Sequence, residues 1–185
     1  MSDPWTDLDA YHQWVWQKLQ DGPRRPDAPA RLLALATASA DGAAARMVVL
    51  RAVDASARML EIHTDLRSAK VTEIRADPLA TLLLWDPADQ LQARLNCEIT
   101  LATGAEVAPL WAAIPQQARR IYGGAAASGT PLTRPEPLQA PDGMAQFAVL
   151  RCRVTGIDAL HLGRDLHARA RWRHQDGWHG QWIAP

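Results

Sequence analysis

The sequence predicts a mainly β fold: antiparallel strands in a barrel or a strongly curved sheet, with helices set outside it. Three observations predict it. Short runs of alternating apolar and polar residues follow one another from about residue 31 to 102, and again after Gln146. Most of these runs are joined by turns of a few residues, "ADG", "ASA" and "PAD", a spacing that suits antiparallel neighbours. No strand–helix–strand alternation and no G-x-G-x-x-G appears, which argues against a doubly wound nucleotide fold. The count is six to eight strands, and a chain of 185 residues holds them in one domain, 1–185.

The elements follow in order. "DPWTDLDAYHQWVWQKLQDG" reads as a helix over about 4–20, capped by Asp3 or Ser2 and ended by Gly22. Its apolar positions Leu8, Tyr11, Val15 and Leu19 recur at three and four. A Pro-rich connector, "GPRRPDAPAR", leads to the strands "RLLALATAS", "AARMVVLRAVD" and "RMLEIHT". A short helix over about 68–76 is closed by Asp77-Pro78. "LATLLLWD" is the next strand. "QLQARLNCEITLA" then alternates, with Leu91, Ala93, Leu95 and Cys97 on one face and Gln90, Gln92, Arg94 and Asn96 on the other. "EVAPLWAAIPQQARRIYGG" is a helix, or two broken at Pro115. Residues 123–145 read as loop, a length that in a compact domain is functional or disordered. "QFAVLRCRVTGIDALHL" gives one long or two short strands, and a hairpin around Asp176-Gly177 closes the chain.

Composition narrows the function. With 20 basic and 20 acidic residues and no basic half, the chain lacks an electrostatic grip on nucleic acid. No apolar run of the roughly 18 residues needed to span a bilayer exists. The start lacks the basic and apolar segments of a signal peptide, so a cytoplasmic location is expected. Cys97 and Cys152 have no C-x-x-C spacing and read as core thiols of two strands. The six histidines have no H-x-x-x-H or H-E-x-x-H spacing, so no metal site is expected. No G-x-S-x-G nucleophile elbow occurs. Eight Trp against two Tyr and one Phe makes Trp the large apolar filler, and its placement near both termini packs them onto the body.

One stretch carries more chemistry than its neighbours. "HTDLRSAK", residues 63–70, sets Thr64, Arg67, Ser68 and Lys70 at a strand-to-helix corner. Unpaired N–H groups and the positive end of the helix dipole favour an anion there. The plain alternative is a capped helix with a solvated basic rim. Other polar residues are distributed: Arg46 at the start of "RMVVLR", Gln92 and Arg94 on one face of the long strand, Arg169 in the closing hairpin. Taken singly, each Arg reads as a surface or interface cation. Taken together, they are what flavin mononucleotide (FMN) requires. Its phosphate needs Arg, Lys and hydroxyl donors, and its ring needs strand backbone plus an amide or cation at its polar edge. Arg46 and Arg51 are five apart and so face opposite sides of a regular strand.

In this order the residues resemble the pyridoxamine 5'-phosphate oxidase family of FMN-binding split barrels, and more closely its uncharacterised oxidase-related branch. The matching run is residues 46–101: Arg at a strand start, then "TD-RS-K", a helix ending in "DP", a strand ending near Trp85, and "QLQARL". The segment "IDALHLGRDLHARARW", with its H-x-R element, is similar to the family's closing segment. The resemblance implies a six-stranded antiparallel split β-barrel homodimer with FMN at the subunit interface. It implies that Arg46, Ser68 and Lys70 hold the phosphate, with help from Arg67. His63 and Thr64 would lie along the flavin or ribityl chain, and Met47, Val48 and Val49 would pass beside the ring. Gln92 would approach the ring's polar edge, and Arg169 would come from the other subunit. Arg51 and His167 would face a small-molecule substrate.

Departures from the family pattern limit what is carried over. The oxidases have Tyr-Thr where this chain has His63-Thr64, and Ser-Arg-Lys where it has Ser68-Ala69-Lys70. The Tyr, Arg and Ser that bind substrate phosphate are absent from "WAAIPQQARR", and Leu160 stands where a Trp flanks the flavin. The expectation is an FMN-dependent oxidoreductase with a substrate other than pyridoxamine phosphate. The alternatives are a non-catalytic flavin-binding protein and a split barrel that binds haem or a deazaflavin, with His161 or His174 as the haem ligand.

Overall fold

The computed structural model describes residues 3–124, 126–135 and 143–185. Ser2, one of the two expected helix caps, lies outside them, as do residues 125 and 136–142 of the expected loop 123–145. A 3-10 turn at Pro4–Thr6 precedes α1 (Leu8–Arg24). The cap is neither expected residue: Asp7 accepts a hydrogen bond from Ala10 N at 2.8 Å. The helix also runs on through Gly22 and Pro23 to Arg24.

The strands are β1 (Leu32–Ser39), β2 (Gly42–Asp54), β3 (Met59–Asp65), β4 (Leu79–Asp86), β5 (Leu91–Thr103), β6 (Phe147–Leu162), β7 (His167–Arg173) and β8 (Gln181–Trp182). All pair antiparallel. Six of them close a ring in the order β1-β2-β3-β6-β5-β4 and back to β1, and β7 and β8 extend it from β6. The fold is thus a mainly antiparallel β sheet curled as a split barrel. Its eight described strands comprise the expected six of the ring and two beyond it. Helices α2 (Ala69–Ala76), α3 (Ala108–Ala113) and α4 (Gln116–Arg119) complete it. Pro115 separates α3 from α4, because it cannot donate within a continuous helix.

The split has a simple origin. β6 keeps β5 on one edge for almost its whole length. On its other edge it pairs β3 from Phe147 to Arg153, then β7 from Gly156 to Leu162. One 16-residue strand therefore serves both the barrel and its extension.

Alternation puts Leu33, Leu35, Leu60, Ile62, Leu82, Leu84 and the Leu91–Ile99 face of β5 inside, at most 3% exposed. Tyr11, Val15, Trp16 and Leu19 of α1 join the same cluster. The Tyr11 hydroxyl donates to Ala168 O at 3.2 Å, and its ring meets Trp172 edge-on at 5.7 Å, so α1 covers the inner face of the extension. Trp5 stacks on His161 at 3.8 Å, which ties the start of the chain to the end of β6. Cys97 and Cys152 are buried in β5 and β6. A smaller cluster of Val107, Trp111, Tyr122, Phe147 and Val149 seats α3 and α4 outside the barrel.

Candidate functional site

The corner expected from the sequence is assembled where β3 ends. Thr64 is the last inward residue of β3, and Ser68 precedes the first turn of α2; both are buried. Their hydroxyls lie 3.3 Å apart, and Lys70 Nζ donates to Thr64 Oγ1 at 3.2 Å. Ser68 does not cap α2 with its side chain; its hydroxyl donates to Asp65 O at 2.7 Å. Lys70 is half-buried and has no carboxylate within ion-pair distance among the described residues. Burial, then the positive charge of Arg46, lowers its pKa, while Asp65 and Glu73 pull the other way.

Arg46 reaches the same corner from β2. It faces inward with Val48 and Leu50. Its guanidinium donates to Thr37 Oγ1 and, at 2.8 Å, to Glu73 Oε2 of α2; Thr37 in turn donates to Glu73 at 2.6 Å. Thr37 and Glu73 were not singled out in the sequence. Glu73 lies three residues past Lys70, on the same side of α2.

Arg67 lies in the turn of the same corner. Its Nε and Nη2 donate to the two carboxylate oxygens of Asp65 at 3.0 and 2.7 Å, and its Nη1 donates to Gly124 O at 2.9 Å. That fork holds the β3–α2 turn to the segment after α4. Ala69, the position of the missing cation, is exposed.

Met47, Val48 and Val49 lie opposite Ala34, Leu33 and Leu32 of β1. On the other edge, β2 pairs β3 only from Leu50 onward, with a register shift between Leu50 and Ala52. The backbone of residues 47–49 therefore presents an edge with no strand partner among the described residues, beside the Thr64–Lys70 corner.

On the outer face, Arg51 and His63 line a cleft of about 250 Å³ between β2–β3 and α3–α4. Arg51 and Arg46 face opposite sides of β2. Glu61, Tyr122 and the apolar residues Leu110, Ile114 and Pro115 also line the cleft. Burial, then the charge of Arg51, pushes the His63 pKa down to about 4, so its ring is neutral near pH 7.

Gln92, His167 and Arg169 are gathered elsewhere. Gln92 lies opposite Leu160, and Leu160 opposite Arg169, across β5, β6 and β7; His167 sits two residues before Arg169 on the same face. Arg169 grips Asp158 with two bonds of 2.9 and 3.0 Å, and Arg94 adds a third at 2.7 Å. Asp158 is a residue sequence reading missed; its signal is an acidic residue on an alternating strand flanked by two Arg-bearing ones. On β6, Leu160 lies twelve residues from Ala148, the partner of Thr64. At about 3.3 Å per residue that is roughly 40 Å along the strand. Along β6, one chain thus holds Gln92, His167 and Arg169 far from the Thr64–Lys70 corner.

The profile of the pyridoxamine 5'-phosphate oxidase FMN-binding domain matches residues 10–103. The chain belongs to this family. The match spans α1 to β5, and so includes Arg46, the unpaired β2 edge and the corner of Thr64, Ser68 and Lys70. Among curated proteins none matches the sequence. A pyridoxamine 5'-phosphate oxidase-related, FMN-binding protein from Nostoc punctiforme is 23% identical over 100% of both chains, with a TM-score of 0.76. PhzG from Burkholderia lata, solved with tetrahydrophenazine-1-carboxylic acid, is 20% identical over 100% of this chain and 98% of its own, with a TM-score of 0.77. A haem-binding protein from Mycobacterium smegmatis is 16% identical over 82% of this chain and 57% of its own, with a TM-score of 0.50. At these identities the likeness is one of fold.

Proposed function

We propose that the chain binds FMN at the interface of a homodimer and is an FMN-dependent oxidoreductase whose small-molecule substrate is not pyridoxamine phosphate. The observation that carries the flavin reading is Lys70. A half-buried ammonium with only a hydroxyl for a partner among the described residues, beside a second cation and two buried hydroxyls, is an arrangement that a phosphate completes. The residues present therefore fit the phosphate of FMN, with Arg46, Thr64, Ser68 and Lys70 around it. The open β2 edge at Met47–Val49 offers backbone groups to a planar ring next to that corner. A bound flavin supplies hydride-transfer chemistry, and no side chain of the chain is then required as acid or base.

The rest of the set supports a dimer. Gln92 and Arg169 share one face of the extension, so in this reading both come to the flavin from the partner subunit. The cleft at Arg51 and His63 supports a different substrate. Its helical wall offers Leu110, Ala113, Ile114, Pro115 and Ala118, which are apolar where a substrate phosphate needs donors. The haem alternative finds less support. Of its two candidate ligands, His161 is buried against Trp5 and Trp14, and only His174, just past β7, is exposed.

The test is the absorption spectrum of the purified protein, with the pigment released by heat and identified. Flavin bands and about one FMN per chain are expected. A colourless protein that takes up no added FMN overturns the reading, and a red one redirects it to haem. For the flavin-loaded protein, reduction by NAD(P)H and reoxidation by a second substrate separates an enzyme from a binding protein.

A further inference from the structure

A second cleft, of about 230 Å³, lies on the outer face of β5, β6 and β7, and of its lining only Arg169 has a role above. Its walls carry Arg94, Arg169, Arg171 and Arg173, and its one carboxylate is Asp158. The arginines of β7 alternate with the buried Ala168, Ala170 and Trp172, so all three project to the same side. Strand register sets the floor. Gly156 of β6 lies between Asn96 of β5 and Arg173 of β7, and its missing side chain leaves the hollow. A Cβ there would meet Trp172 O at 3.4 Å and Asn96 Nδ2 at 3.7 Å, so a side chain fits and would fill it.

The cations are unequally committed. Asp158 holds Arg94 and Arg169, and Arg171 donates to Gln181 Oε1 at 2.9 Å. Arg173 has no ion-pair or side-chain hydrogen-bond partner among the described residues. Four guanidinium groups around one carboxylate leave an excess of positive charge with planar donor forks. That geometry matches an oxyanion with two or more acceptor oxygens.

We propose that this cleft binds the carboxylate or phosphate group of the small molecule on which the protein acts, so that its substrate is an anion held by Arg173, Arg171 and the Asn96 amide over Gly156. As to the substrate, this rests on the flavin reading, which puts the neighbouring Arg169 beside the ring. The anion site itself does not.

The experiment uses Lys70→Ala protein, whose flavin phosphate corner is disabled, and FMN-loaded wild type in parallel. Inorganic phosphate, citrate and chloride are titrated in turn, and the arginine Nε–H signals are followed by NMR. A saturable shift of Arg173 with phosphate or citrate but not chloride is expected in both proteins. The tighter of the two oxyanions tells a phosphate ester from a carboxylate. Arg173→Ala and Gly156→Val should each weaken that binding about tenfold or more, while Arg153→Ala, an exposed arginine paired with Glu98, should not. If Arg173→Ala does not fold, Arg171→Gln replaces it. The proposal is overturned if no oxyanion moves Arg173, or if Gly156→Val leaves its affinity unchanged. It is also overturned if neither oxyanion binds and Arg173→Ala turns a dimer into a monomer by light scattering, since the cleft is then a subunit contact. A cleft that binds phosphate in a protein that takes up no FMN sinks the flavin reading and leaves the anion site standing.

Discussion

A lysine that is more useful bound than free leaves an energetic signature. Burial and the Arg46 charge depress the Lys70 pKa, so its charged form is less favourable in the folded chain than in the unfolded one. At neutral pH that charge works against folding until an anion arrives. Lys70→Met should therefore raise the melting temperature of flavin-free protein by roughly 2–4 °C, the equivalent of about 1 kcal/mol in a chain of this size. The same change should weaken FMN binding by about 1.5–3 kcal/mol. Arg46→Ala should weaken FMN comparably and lower the melting temperature, because it strands the ion-paired Glu73. Thermal melts and flavin titrations check both signs; a Lys70→Met protein that melts lower with unchanged FMN affinity would refute the corner. His63 gives a pH counterpart. Its folded pKa, near 4, lies below the ordinary histidine value of 6.5. Between those values the unfolded chain takes up a proton that the folded chain does not, so stability falls as pH drops from about 6.5 to 4. His63→Gln should remove about 1–3 kcal/mol of that slope, read from urea midpoints across the range.

At the scale of elements, helix α1 turns a general rule around. Replacing a helical Gly with Ala ordinarily stabilises by about 0.5–1 kcal/mol. A Cβ on Gly22, however, would sit 2.6 Å from Ala30 O, a backbone atom of the turn at Pro29–Arg31 that cannot swing aside. Gly22→Ala should instead destabilise, by roughly 1–3 kcal/mol, as overpacking does; a raised denaturation midpoint would contradict the contact. Asp7→Ala should cost about 1 kcal/mol by removing the observed cap. The elements themselves were legible because their signals are local. Alternation in "LQARLNCEI" and "HARARWR", and the Gly and Pro that punctuate them, place β5, β7 and their neighbours within a residue or two. What escaped was pairing between distant segments. Nothing local says that Glu73 will take Arg46, or that β6 will leave β3 for β7 midway. The helix cap failed for a related reason. Asp3 and Asp7 both suit a cap, and a 3-10 turn at Pro4–Thr6 decided between them. The corner of Thr64, Ser68 and Lys70 was legible because all three lie within seven residues of one strand-to-helix turn.

On the scale of the whole molecule, the two groups of residues proposed to hold the flavin pose a geometric problem. Thr64, Ser68 and Lys70 sit where β3 meets α2, while Gln92 and Arg169 sit where β5, β6 and β7 run together beyond the split. Both groups are fixed by paired strands, so no loop movement within one chain joins them. The proposed two-fold dimer would, by laying the corner of each copy against the extension of the other and so completing two equal sites. Subunit mixing tests this directly. Lys70→Ala spoils the corner and Arg169→Ala spoils the extension, and each homodimer carries the defect at both sites. In a mixed dimer one site inherits both defects and the other none. After unfolding and refolding the two variants together in equal amounts, half the dimers are mixed, and about a quarter of all sites should bind FMN with wild-type affinity. The measurement is fluorescence quenching of FMN at a concentration the separate variants do not bind. If each site is built from a single chain, mixing restores nothing. Tight flavin binding by a species that sediments as a monomer would exclude the shared site as well.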